Sequence, residues 1–126
     1  MVQAAMDTKA IIATAMDYFE GWFDGDAVRM ERALHPDLVK RGVHAATTGA
    51  ELSGRSSTPQ MINWTREGKG KAERPADLAI KVRVDDVYRD IATASVYSAV
   101  YIEYVQLVRT LEGWRIVNTL FMRRNT

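Results

Sequence analysis

The sequence predicts an α+β domain in which two to three N-terminal helices pack on one face of a strongly curved, mainly antiparallel sheet. Three observations predict it: helical spacing of apolar residues before residue 35, alternating apolar residues after residue 76, and no linker-like segment between the two parts. A chain of 126 residues is the usual size of one domain. We therefore expect residues 1–126 to form a single domain.

The composition excludes several classes of function. Seventeen basic and sixteen acidic residues leave a formal charge of +1, so there is no strong field to attract nucleic acid or an anionic membrane. The absence of cysteine excludes disulfides, zinc–thiolate sites and thiol nucleophiles, and it fits a reducing compartment. No segment resembles a signal peptide or a membrane span. The sequence thus predicts a cytoplasmic protein with no nucleic-acid or membrane partner.

The first helix is predicted over residues 8–23, where apolar residues recur at helical spacing. Asp7 or Thr8 is placed to cap its start, and Gly25 ends it. The predicted buried positions are Ile11, Ala15, Tyr18 and Trp22, with a second row at Ile12, Met16, Phe19 and Phe23.

A second helix is predicted after Asp26, which is suited to cap it, with Ala27, Met30 and Leu34 as its buried row. Proline disfavours the helical conformation of the residue before it, so Pro36 places His35 at the helix end or in the turn that follows.

Residues 38–44 alternate in part and predict a first strand, followed by a short strand within residues 50–52. Proline is favoured in a first helical turn, so Thr58 and Pro59 predict the start of a third helix, which ends near Gly68. The segment 69–75 then has the composition of an exposed loop.

Four strands follow, predicted over residues 76–88, 91–100, 104–110 and 114–122. If Glu112 and Gly113 form the last turn, Leu107 pairs with Asn118, and Asn118 is the polar residue of the inner face. That register gives the inner face Val105, Leu107, Leu111, Trp114, Ile116 and Leu120.

The opposite face of this hairpin is too apolar to be left wholly in water, so a homodimer formed through it is expected. The residues predicted at this interface are Tyr104, Gln106, Val108, Val117, Thr119 and Phe121.

Four segments carry a resemblance to a known family: residues 18–26 (YFEGWFDGD), 35–41 (HPDLVKR), 103–108 (EYVQLV) and 113–118 (GWRIVN). On these segments the chain resembles the NTF2-like superfamily, which includes SnoaL and ketosteroid isomerase, and within it a group called putative lumazine-binding. The resemblance implies a cone with a pocket at its open end and dimerisation through the sheet. It leaves the chemistry open, because isomerases, dehydratases, cyclases and binding modules share this scaffold.

His35 and Arg41 are the first candidates for a site. His35 is suited to act as a general acid or base near neutral pH, or it closes the helix end as a structural residue. Arg41 either holds a ligand carboxylate or phosphate or pairs with an acid of the protein. The two histidines, His35 and His44, have no recognised metal spacing, and neither a metal nor a cofactor is expected.

The remaining candidates are aromatic or neutral. Tyr18 and Trp22 share a helix face and either line a flat pocket with Met61 and Trp64 or belong to the core. Asn118 either contacts a ligand or makes an internal hydrogen bond. A steroid-isomerase mechanism needs carboxyls on the inner sheet face, and none of Asp17, Asp37, Asp85 and Glu103 is clearly placed there by the sequence.

Three functions follow from these candidates. The first is binding of a small, partly aromatic molecule by Tyr18, Trp22, His35, Arg41, Met61, Trp64 and Asn118. The second is an isomerase, dehydratase or cyclase that uses His35 as general acid or base. The third is a dimerisation scaffold without a ligand.

Overall fold

A computed structural model describes residues 2–124 of the protein, so residues 1, 125 and 126 of the predicted domain lie outside the described part. Within it the helices are α1 (Val2–Asp24), α2 (Ala27–Ala33), α3 (Thr58–Arg66) and α4 (Lys69–Ala72). The strands are β1 (Leu34–His44), β2 (Glu51–Leu52), β3 (Lys81–Tyr88), β4 (Ile91–Tyr97), β5 (Tyr101–Thr110) and β6 (Gly113–Arg123).

The six strands form one sheet in the order β2-β1-β6-β5-β4-β3. Every neighbouring pair is antiparallel except β1 and β6, which are parallel. The long helix α1 packs against β3 and β6, and α3 packs against β1. The predicted α+β fold with a mainly antiparallel sheet is confirmed. No helix within residues 2–124 is long and apolar enough to cross a membrane.

The core lies between α1 and the inner face of the sheet. The predicted face of α1 is buried, because Ile11 and Ala15 are fully enclosed and Phe19 is 3% exposed. These side chains meet alternate residues of the long strands, as an amphipathic helix on a half-buried sheet requires. The fully buried strand residues are Ala94, Val96, Val105 and Ile116.

The starts of α2 and α3 follow the sequence closely, whereas the predicted cap of α1 is wrong, because Asp7 and Thr8 both lie inside that helix. Asp26 accepts a hydrogen bond from the Arg29 N–H and caps α2, while Ser57 and Gln60 form a reciprocal capping box before α3. However, α2 ends at Ala33, and His35 lies in β1 rather than at a helix end or in a turn. The register of β1 shifts between Leu34 and Val39, which accommodates Pro36, since proline donates no ladder hydrogen bond.

The segment predicted as an exposed loop after α3 contains α4 and is partly buried. Gly70 packs so closely on α1 that a Cβ atom added to it would lie 2.2 Å from the Trp22 carbonyl oxygen. Glycine is therefore required at this contact, and its small size lets α4 close over the side of the first helix.

The last hairpin departs from the predicted register in two ways. Its turn is Leu111–Glu112, with Thr110 paired to Gly113, and β6 then contains a bulge at Val117, between the pairs Leu107–Ile116 and Gln106–Asn118. An extra residue reverses the facing of every side chain after it.

The bulge corrects several predictions about faces. Val105, Leu107, Trp114 and Ile116 are buried on the inner face, as predicted. Beyond the bulge the prediction is wrong: Asn118 and Leu120 are exposed, while Thr119 and Phe121 lie on the inner face. Leu111 is also fully exposed, because it belongs to the turn.

Candidate functional site

A cavity of about 140 Å³ lies between α1, α3 and the inner face of β1, β5 and β6. Its wall is mainly aromatic, which suits a flat organic molecule. The residues that line it are Tyr18, Phe19, Trp22, Phe23, Lys40, Ser53, Ser56, Met61, Trp64, Tyr101, Glu103 and Phe121.

A buried ion pair forms the polar part of this wall. The Lys40 ammonium lies 2.9 Å from Glu103 Oε2, and the Tyr18 hydroxyl donates to the same oxygen at 2.6 Å. Lys40 also donates to the Tyr18 hydroxyl oxygen. The Lys40 side chain is 11% exposed and that of Glu103 is 3% exposed, so both charges are removed from water and depend on each other.

Tyr18 is held as a neutral phenol. Its complete burial raises the pKa of the hydroxyl well above the ordinary value, and the neighbouring Glu103 charge and hydrogen bond raise it further. Tyr18 therefore acts as a hydrogen-bond donor to Glu103 throughout the physiological range.

Phe121 completes the surroundings of the ammonium. The Lys40 nitrogen lies 4.1 Å from the centroid of the Phe121 ring, a cation–π distance. The ring takes this position over Gly42, where an added Cβ would lie 2.6 Å from its Cζ atom. The absence of a side chain at Gly42 thus leaves room for the Phe121 ring beside the ion pair.

A second carboxylate, Glu73, ties the segment after α4 to the cavity wall. Glu73 Oε1 accepts from the Trp22 indole at 2.9 Å and from the Tyr101 hydroxyl, and Oε2 accepts from Arg123. Burial raises the pKa of Glu73, but hydrogen bonds from Tyr101, Trp22 and Arg123 outweigh it and give a net lowering. Burial, followed by the Glu73 contact, raises the pKa of the Tyr101 hydroxyl.

Four of the predicted contact residues line the cavity: Tyr18, Trp22, Met61 and Trp64. Their contact with a ligand stays a prediction. The helical spacing of these residues was enough to place them together, because each lies on the inward face of α1 or α3.

His35, Arg41 and Asn118 do not line the cavity, and the prediction that Asn118 lies on the inner face is wrong. Contact of His35 and Arg41 with a ligand stays a prediction. His35 Nδ1 accepts from the Asp37 N–H at 3.0 Å, and the His35 carbonyl accepts from the Thr58 hydroxyl, so both contacts lie within the start of β1 and α3 rather than at a helix end. Arg41 is exposed on the outer face of β1. Asn118 is exposed beyond the bulge and donates to Gln106 at 3.0 Å.

Within residues 2–124, Lys40 and Glu103 are the two charged residues of the cavity wall, and neither was among the residues predicted to contact a ligand. Glu103 follows the alternation of Val105 and Leu107, so the strand pattern contained the signal for its inward position. In β1 the buried Lys40 is followed by the exposed Arg41, so this strand also contained an alternating pattern. A buried lysine is rare unless it is paired, which is why its position was hard to foresee.

The sequence matches the model of a protein family described as putative lumazine-binding over residues 6–122. Among curated proteins, no sequence matches this chain significantly.

Several solved structures share the fold. An NTF2-like protein of unknown function from Silicibacter pomeroyi is 19% identical, with 96% of this chain and 98% of that chain covered and a TM-score of 0.73. An NTF2-like protein with a cystatin-like fold from Novosphingobium aromaticivorans is 18% identical, with 98% and 86% covered and a TM-score of 0.71. A ketosteroid isomerase-like protein from Erwinia carotovora atroseptica is 16% identical, with 94% and 96% covered and a TM-score of 0.64. At these identities the similarity shows the fold alone.

Proposed function

Because the chain belongs to the putative lumazine-binding family of NTF2-like proteins, we propose that it binds a small, flat organic molecule in the aromatic cavity. Tyr18, Trp22, Met61 and Trp64 supply apolar walls for such a molecule, and the ion pair of Lys40 with Glu103 supplies the polar end.

The observation that carries this proposal is the buried ion pair at the wall of a cavity. A buried pair of charges gives little net stability, and well-packed apolar residues of similar volume are often as good or better. An unfilled cavity costs stability as well. A protein selected only as a scaffold gains nothing from either feature, whereas a ligand-binding protein uses both.

A catalytic role for His35 is not part of the proposal. The imidazole lies outside the cavity wall and is occupied by the Asp37 N–H. General acid–base catalysis requires the group to lie within hydrogen-bond reach of the reacting atoms, and His35 is not among the residues that line the cavity.

Lumazine, which the family description names, is the first probe of binding. Calorimetric titration of the protein with lumazine is expected to show saturable binding at one site. Ser56→Phe should abolish it by filling the cavity, since Ser56 lines the cavity and its β-bridge to Lys40 uses backbone atoms alone. Asn63→Phe adds the same ring on the exposed side of α3 and should leave binding unchanged. Equal binding by wild type and Ser56→Phe would place the ligand elsewhere.

We also propose that the protein forms a homodimer through the outer face of the sheet. Tyr104 is 55% exposed and Leu120 is 43% exposed there, and Val108 and Val117 lie beside them. The interface keeps Tyr104, Gln106, Val108 and Val117 from the sequence prediction, while Leu120 replaces Thr119 and Phe121, which face inward. A partly apolar sheet face suits an isologous pair, because the same surface serves both subunits.

Introducing charge at this face tests the dimer. Tyr104→Glu is expected to convert a dimer into a monomer in light scattering, because like charges from both subunits would be buried together. Val28→Glu, which also replaces an exposed apolar residue but lies on α2, should leave the mass unchanged. A wild-type protein with the mass of a monomer at high concentration would contradict the proposal.

A further inference from the structure

The hydrogen bonds around the ion pair leave one carboxylate oxygen without a partner. Tyr18 and Lys40 both donate to Glu103 Oε2, and no hydrogen bond reaches Oε1 within residues 2–124. An ionised carboxylate has about four acceptor positions on its two oxygens. Glu103 lines the cavity and its side chain is 3% exposed, so Oε1 is an acceptor without a protein partner in this part of the chain that is open to a molecule in the cavity.

The other deep polar groups of the wall are already occupied. The Trp22 indole and the Tyr101 hydroxyl both donate to Glu73, so both rings present carbon to the cavity. The Tyr18 hydroxyl donates to Glu103 and accepts from Lys40. Lys40 donates two of its three N–H groups to Tyr18 and Glu103, and its ammonium lies 4.1 Å from the Phe121 ring centroid. The least exposed part of the wall therefore combines aromatic surface with one acceptor that has no protein partner among the described residues.

The residues at the mouth of the cavity place fewer restrictions on the polar groups of a ligand. Ser53 Oγ accepts from the Gly42 N–H at 2.7 Å, but the half-buried side chains of Ser56 and Trp64 make no hydrogen bond within the described chain. These groups lie closer to solvent, where water satisfies them. Selectivity is thus set at Glu103 rather than at the mouth.

The charge of the site further restricts the class of ligand that it can bind. The Lys40 ammonium and the Glu103 carboxylate cancel, so the cavity offers no net positive charge to an anion. An anionic group placed at Oε1 would face a negatively charged oxygen in a desolvated site. An uncharged N–H or O–H group, in contrast, completes the coordination of that oxygen without adding charge.

We propose that the ligand is an uncharged planar heteroaromatic or phenolic compound that donates an N–H or O–H hydrogen bond to Glu103 Oε1. This rests on the proposed function, that the cavity binds a small molecule, and it adds the chemical class of that molecule. Glu103 is then the residue that determines specificity, while Lys40 and Tyr18 hold its carboxylate in place through Oε2.

Indole and benzofuran provide a matched pair of probes. The two bicyclic molecules have nearly the same shape and differ in an N–H group that benzofuran replaces by an ether oxygen. A hydrogen bond to a charged acceptor contributes roughly 10- to 100-fold in affinity. Titration of the wild-type protein is therefore expected to show indole binding at least about tenfold more tightly than benzofuran.

The possible results separate the inference from the proposed function. Equal affinities for the two probes would overturn the inference and leave small-molecule binding intact. Binding of neither probe, together with the absence of lumazine binding, would overturn both. A tenfold preference for indole, in the range expected of one such hydrogen bond, would support both.

A triple variant, Tyr18→Phe/Lys40→Met/Glu103→Met, tests whether the preference comes from Glu103. It replaces the whole polar cluster with apolar groups of similar size, and we expect it to bind benzofuran as the wild type does while the preference for indole falls to about twofold or less. Binding of benzofuran shows that the variant is folded. The control Arg83→Met/Asp85→Asn removes an ion pair on the outer strand β3 and should retain the full preference. An indole preference that survives in the triple variant would overturn the inference.

Discussion

Replacing Lys40 with methionine is expected to lower the free energy of unfolding by about 3–5 kcal/mol, the usual cost of removing one partner of a buried ion pair. Methionine preserves the unbranched shape of the lysine stem, so the loss comes from the charge rather than from packing. The Glu103 carboxylate, with a side chain 3% exposed, would remain buried without the ammonium that now lies 2.9 Å away.

Urea unfolding of three variants checks this expectation. Lys40→Met/Glu103→Gln removes both charges and is expected to recover most of the stability lost in Lys40→Met, because no uncompensated charge remains. Lys69→Met removes an exposed ammonium that lies 5.5 Å from the centroid of the Trp64 ring, and it should cost less than about 1 kcal/mol. If the free energy of unfolding of Lys40→Met lies within about 1 kcal/mol of the wild-type value, Glu103 does not depend on the Lys40 charge for its stability.

The first three helices and the positions of the long strands along the chain were predictable because they depend on local patterns. The apolar spacing of α1, the Asp26 cap of α2 and the Pro59 start of α3 are all local signals, and each has its expected place in the structure. The short helix α4 escaped prediction because its composition is that of a loop. Its position depends on a tertiary contact, the packing of Gly70 on Trp22, which no local pattern records.

The misplacement of Asn118 comes from one extra residue in β6. The last turn was predicted at Glu112 and Gly113, whereas the structure has it at Leu111 and Glu112. This difference leaves Leu107 and Ile116 on the inner face in both cases. The bulge at Val117 then reversed the rest of β6 and exchanged Asn118 for Thr119 on the inner face. A bulge within a run of alternating apolar and polar residues leaves no mark in the sequence as clear as a glycine or proline.

The ion pair of Glu103 with Lys40 was unpredictable from the sequence for a different reason. The alternation of buried and exposed residues along β5 places Glu103 on the inner face with Val105, and the bulge in β6 does not affect it. Sequence alone did not identify its partner, because Lys40 lies on β1, 63 positions away along the chain. Pairing a buried acid with a buried base requires the parallel neighbours β1 and β6 and the position of β5, which only the sheet order supplies.

Gly70→Ala is expected to destabilise the protein by about 2–3 kcal/mol, at the upper end of the cost of overpacking. An added Cβ would lie 2.2 Å from the Trp22 carbonyl oxygen and 2.7 Å from the carbonyl carbon. Since these are backbone atoms of a long helix, rotation of a side chain does not relieve the clash, and α4 itself must move. Movement of α4 would draw Glu73 away from the Trp22 indole, so the cavity wall is expected to loosen together with the fold.

Gly54→Ala is the matched control, because a Cβ at Gly54 meets no atom within 4 Å and its backbone is outside the left-handed region. Its unfolding free energy should stay within about 0.5 kcal/mol of wild type. Tryptophan fluorescence reports whether the cavity wall loosens, since Trp22 and Trp64 both line the cavity. Their emission is expected to change in Gly70→Ala but not in Gly54→Ala. Equal stability and identical emission in the two variants would mean that α4 is not held against α1. In that case Glu73 would not be a fixed part of the cavity wall, and the Oε1 acceptor of Glu103 would lie in a site far more open to water.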